Sequence, residues 1–178
     1  MSQELQSNTR EGRLIKSSVA NLSGYDGFAV VLVNNGGYGS VGLPTAQNQK
    51  PFGIISDGSI TQAEVMQQQG LDWGPQGSYG VGVWPLDPSK NMRVYLLGTC
   101  NPGDVLVLAL PSAAAAINFP LNFPTPSTTL TITVAAGLAQ SVAGLGSGTF
   151  GVLGQAEEAG VQGQLVLFRP WPGQTITQ

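Results

Sequence analysis

Histidine is absent from the 178 residues, and cysteine occurs once, at Cys100. Without an imidazole there is no Ser-His-Asp or Cys-His nucleophile system and no His-ligated metal site. One thiol builds neither a Cys-rich metal centre nor an intrachain disulfide. Lying between expected strands, Cys100 reads as a small buried filler. Charge is scarce as well: 10% of residues are Asp, Glu, Lys or Arg, where about 25% is usual for soluble domains. The seven Lys and Arg are dispersed and the net charge is −3. Counterion-release binding needs clustered cations, so nucleic acid is not an expected partner. The nearest cluster, Arg10, Arg13 and Lys16, is interrupted by Glu11. No apolar run reaches the ~18 residues of a membrane span, so no membrane is expected. The first ten residues lack a signal-like apolar stretch; synthesis in the cytoplasm without export by the usual route is expected. Only carboxylates and hydroxyls remain for catalysis, so neither an enzyme nor a cofactor is expected.

What the chain does have is 42% hydrophobic residues, 25 glycines and 12 prolines. Few charges and many Gln, Asn, Ser, Thr and Gly leave much apolar area near the surface, a pattern suited to stable association. The apolar residues fall in short runs between turn signals. Gly24-Tyr25-Asp26-Gly27 leads into a strand at Phe28–Val33, and Asn34-Asn35-Gly36-Gly37 predicts a hairpin turn before a return strand, Tyr38–Leu43. Phe52–Gly58, Val81–Trp84, Met92–Leu97 and Val105–Leu110 read as further strands. Thr128–Val134 alternates strictly and predicts a half-buried strand. The terminal hairpin pairs Phe150–Gly154 with Gln164–Phe168 across an acidic turn.

One helix is expected, Ser59–Gln69. Thr61 with Glu64 has capping-box spacing, Ile60, Ala63 and Met66 share a helical face, and Gly70 ends it. Pro111 to Ser127 reads as a long extended loop because four prolines surround a short alanine run. Residues 135–149 read as a connector. The expected fold is therefore all-β, a small β-sandwich or barrel (β-tulip or jelly-roll-like) with one short helix and an extended N-terminal arm. The expected division is an arm over residues 1–16, one β-rich domain over 17–170 with the long loop 111–127, and a tail over 171–178.

Other patterns resolve into structure more readily than into sites. Gly37-Tyr38-Gly39-Ser40-Val41-Gly42 matches G-x-G-x-x-G, but Leu43-Pro44 follows where a phosphate-binding helix would have to begin, so a glycine-rich hairpin is expected. Glu157 and Glu158 are adjacent, which on a strand points them to opposite faces; on a turn they are expected to be solvated. Asp26, Asp57, Asp72, Asp87 and Asp104 lie beside Gly, Pro, Trp or other turn-forming residues and are expected to close turns. Trp73, Trp84, Trp171, Tyr25, Tyr38, Tyr79 and Tyr95 read mainly as core or subunit-contact residues, with a glycan-binding face as the lesser alternative.

Gly103-Asp104-Val105-Leu106-Val107, Phe150-Gly151-Val152-Leu153-Gly154 and the run Ala156 to Arg169 together resemble the small head-decoration, or capsid cement, proteins of tailed bacteriophages. The resemblance lies in a G-x-A-x-E-A-G-x-x-G-x-L-V hairpin and covers roughly residues 101–110 and 149–169, with an echo at 24–58. It implies a structural virion protein on the outer surface of the capsid that stabilises the head, commonly as a homotrimer at threefold and quasi-threefold sites, with the major capsid protein as partner. Expected contact residues are Arg10, Arg13, Leu14, Ile15, Phe119, Phe123 and Trp171. Competing expectations are another virion subunit, in the tail or fibre base, and a glycan-binding surface module.

Overall fold

The computed structural model describes residues 14–35, 38–60, 79–120 and 129–178, and among them the chain is all-β. Five strands close into a barrel in the order β1-β3-β2-β4-β5: β1 (Leu14–Ser18), β2 (Ala29–Asn35), β3 (Tyr38–Gly42), β4 (Pro51–Ile60) and β5 (Tyr79–Pro85). The β2–β3 hairpin closes with Asn35 opposite Tyr38, the two-residue loop that Asn-Asn-Gly-Gly predicts. Tyr38–Gly42 is a strand, so the glycine-rich motif is part of a hairpin. β1 completes the circle, antiparallel to β5 from Leu14↔Val83 to Ser18↔Tyr79 and parallel to β3 at Ser18↔Val41.

A second sheet runs β10-β7-β11-β12-β6, from β6 (Met92–Tyr95), β7 (Val105–Leu108), β10 (Ala139–Ser141), β11 (Thr149–Ala156) and β12 (Leu165–Pro170). β13 (Thr175–Thr177) pairs with the start of β11, so the predicted C-terminal tail contains a strand. Two clusters of buried side chains explain why several strands read as continuous apolar runs. Ala29, Val31 and Ile54 of the barrel pack with Leu106, Leu108, Leu153, Val166 and Phe168 of the second sheet. On the far face of that sheet Val107, Phe150 and Val152 pack with Val105, Leu145, Trp171 and Ile176. With both faces of β7 covered, Val105–Leu108 has no position left for a polar residue. The barrel's own cluster holds Phe28, Val30, Val41, Ile55, Val81 and Val83.

Two expectations change. β4 continues through Ser59 and Ile60, where the helix was to begin, with Ile60 opposite Gly80. Pairing with β5 overrides the local capping signal there; the remainder of the predicted helix, 61–69, lies outside the described residues. Within the predicted loop 111–127, Ala114–Pro120 is a strand, β8, antiparallel to β9 (Thr129–Val134). Pro111 and Pro120 bracket β8 and do not interrupt it, and the alternating threonine strand supplies its ladder.

Glycine is required where backbones approach most closely. At Gly154, beside the irregularity in the β7–β11 register, an added Cβ would strike the Arg169 carbonyl of β12. At Gly151 it would strike the Gln49 carbonyl, which lies on the approach to β4.

Candidate interaction surfaces

Of the five aspartates expected to close turns, Asp26, Asp87 and Asp104 lie in or beside turns, whereas Asp57 lies within β4 opposite Gly82, where the strand ladder takes the place of a turn, and Asp72 is outside the described residues. Asp104 Oδ2 accepts the Asn101 N–H at 2.9 Å and the Ser141 hydroxyl at 3.0 Å, tying the turn before β7 to β10. Asp87 Oδ1 accepts the Ser89 hydroxyl at 2.7 Å and the Ser89 N–H at 2.9 Å, and these bonds lower its pKa from the ordinary value. The two glutamates of the terminal hairpin lie on the solvent-accessible bend that was expected, and each also meets an arginine. Glu157 meets Arg169 at 3.0 Å and Glu158 meets Arg93 at 2.7 Å. Glu158 Oε1 also accepts the Leu167 N–H at 2.9 Å, the main reason its pKa is lowered, with Arg93 adding to it. Cys100 is the buried filler expected, packed in the cluster between barrel and sheet, and burial raises its thiol pKa.

The expected contact residues fall in different places. Arg10, Arg13 and Phe123 lie outside the described residues. Leu14 and Ile15, assigned from sequence to the arm, are barrel residues of β1, opposite Val83 and Gly82. Phe119 lies on β8, opposite Leu130 of β9. Trp171 is half-buried in the outer cluster of the second sheet, and its backbone N–H donates to the Leu153 carbonyl at 2.9 Å. Trp171 thus contributes to the fold's own packing. Among the tyrosines, Tyr25 and Tyr95 flank Phe28, with ring centroids 5.2 and 5.7 Å away, and so serve the core.

Two surfaces remain as candidates. The first is the β8–β9 ribbon, which pairs with neither larger sheet. Its register sets Ile117 opposite Ile132 and Phe119 opposite Leu130, with Asn118 opposite Thr131 on the alternate row. At these positions apolar residues pair with apolar ones and polar with polar. The second is a groove of about 620 Å³ between the barrel and the second sheet. Ile54 and Trp84 form its barrel wall, Arg93 and Leu165 come from β6 and β12, and Asp87 and Asn91 come from the β5–β6 connection. Sequence reasoning singled out Trp84 and Asp87 but had no signal for the groove, because its residues come from four separate segments.

Compared with protein-family models, with curated proteins and with solved structures, the chain matches none.

Proposed function

We propose that the chain is a structural virion protein that binds the outer surface of a tailed-phage capsid and braces the head, as a homotrimer at threefold and quasi-threefold sites. The observation that carries this reading is the β8–β9 ribbon. A two-stranded sheet is marginal on its own in water and gains from a surface to lie against. A neighbouring subunit supplies such a surface, and symmetry repeats the contact at every site, so weak individual contacts sum to firm attachment. Residues 1–13 form a second contact, laid on an adjoining capsid subunit, where they add a strand to an open sheet edge. The major capsid protein is the partner, and no reactive side chain takes part.

The test is co-sedimentation with undecorated heads of the phage that encodes the chain, followed by electron microscopy of the particles. The full chain is expected on the head lattice. Replacing residues 114–134 by a short Gly-Ser linker, or deleting residues 1–13, is expected to abolish binding while the circular dichroism of the remaining sheets persists. Deletion is placed at residue 13 because Leu14–Lys16 belong to the barrel. Density at the tail or fibre base, or unchanged binding by both variants, overturns the reading.

A further inference from the structure

We propose that the groove between the barrel and the second sheet is a binding site for a neutral saccharide, a role separate from the capsid contact. Its volume, about 620 Å³, falls in the range of sites that hold small organic ligands, and the junction of two packed units is a usual place for one. Its lining divides in two. Trp84, Met92 and Leu165 offer apolar surface, whereas Asp87, Asn91 and Arg93 offer polar groups beside it. A pyranose ring has the matching division, an apolar C–H face and a rim of hydroxyls. Indole carries the large flat surface that such a face covers.

The polar groups are set for hydroxyls. Both Ser89 bonds fall on Asp87 Oδ1, which holds the carboxylate in place and leaves Oδ2 as an oriented acceptor. Asn91 is exposed and brings both a donor and an acceptor.

Other ligand classes fit less well. The groove has two cations, Lys90 and Arg93, set against Asp87 and against Glu158, which holds Arg93 at 2.7 Å. That balance gives no net pull on an anion. An added peptide strand would need a run of open backbone on β6, but the Tyr95 N–H already donates to the Gly27 carbonyl at 3.2 Å.

The test uses the full chain, ¹⁵N-labelled, titrated with the methyl pyranosides of glucose, mannose and galactose up to about 20 mM, since a single ring in an open groove binds at ~1–10 mM. At least one is expected to give saturable shifts at the Trp84 indole, the Asn91 side-chain amide and the Gly27 amide. Asn91→Ala, an exposed change that spares the core, is expected to weaken binding about fivefold, the effect of one lost hydrogen bond. Trp84→Ala is expected to abolish it, with the spectrum away from the groove showing that the fold persists. If Trp84→Ala fails to fold, Asn91→Ala decides alone. Absence of a saturable shift from all three glycosides, shifts confined to residues outside the groove, or affinity unchanged in Asn91→Ala overturns the proposal. So does binding of methyl glucuronide or inorganic phosphate in preference to the neutral sugars.

Discussion

Strand β1 carries two adjacent buried serines that should respond to the same substitution with opposite signs. Ser17 Oγ lies 2.6 Å from Ser40 Oγ, joining β1 to β3 where the barrel closes, and the two residues are 3% and 0% exposed. Ser18, also 0% exposed, has a hydroxyl with no hydrogen-bond partner among the described residues. Serine to alanine is nearly isosteric, so the cavity term is small and hydrogen bonding decides. Ser17→Ala removes the bond and strands the Ser40 hydroxyl, which costs about 1–3 kcal/mol. Ser40→Ala does the same to Ser17. Together they remove both hydroxyls and strand neither, so the double variant should lie near wild type, with a coupling energy of roughly 2 kcal/mol or more. Ser18→Ala removes a polar group that was desolvated without compensation and should stabilise by about 1 kcal/mol. Urea unfolding followed by tryptophan fluorescence reads each difference as a midpoint shift at unchanged slope. For a chain of this size each kcal/mol also moves Tm by about 2–4 °C. A double variant as unstable as the sum of the singles, or a destabilised Ser18→Ala, would refute the reasoning.

Gly154→Ala places a methyl against the Arg169 carbonyl of a paired strand, where backbone must move to admit it. The expected cost is about 1–3 kcal/mol, read as a lowered urea midpoint; a neutral substitution would show that the β11–β12 contact yields easily. Glu158 has a pKa below its ordinary value of 4.5, chiefly from the Leu167 N–H and then Arg93. A depressed carboxyl stabilises the fold above its unfolded pKa, and that contribution is lost as pH falls through the folded value. Glu158→Gln should therefore flatten the fall of stability with pH below about 4.5. An NMR titration should place the wild-type carboxyl below the ordinary range. A Glu158 titration at the ordinary value, or an unaltered acid limb in the variant, would count against this account.

The strands legible in the sequence are those whose own residues specify them. Thr129–Val134 alternates, Val105–Leu108 is apolar throughout, and the expected hairpin between Phe28–Val33 and Tyr38–Leu43 pairs Asn35 with Tyr38. The strands that were missed depend on partners. Ala139–Ser141 is three residues long and exists as the edge of β7, and Thr175–Thr177 as the edge of β11. β1 reads Leu-Ile-Lys-Ser-Ser, too polar and too short to announce a strand, and its parallel contact with β3 has no local signature. Ser59 and Ile60 carried a helix signal that pairing with Gly80 overrode. The glutamates were legible as a turn, but not as arginine partners, because Arg93 lies 65 positions from Glu158. The groove was illegible for the same reason: nothing local links Ile54 to Trp84, Asn91 and Leu165.

That dependence on distant partners bears on how such a chain can attach to anything. The second sheet is covered on both faces, by the barrel on one side and by Leu145, Trp171 and Ile176 on the other. Most strand-borne apolar side chains are thereby used inside the molecule. Among the described residues, the large hydrophobic residues left exposed are Val19, Leu32, Tyr79, Leu110 and Val161. In the proposed capsid-binding reading, attachment falls to the ribbon, which among the described residues pairs with neither larger sheet, and to multiplication by symmetry. In that reading three ribbons engage together at a trimeric site, and once the first is bound the other two meet their surfaces at a high effective concentration. If the trimer is the binding unit, a substitution in the ribbon that weakens each contact severalfold should weaken capsid binding by approximately the cube of that factor. A binding loss no steeper than the single-site loss would mean that copies attach one at a time.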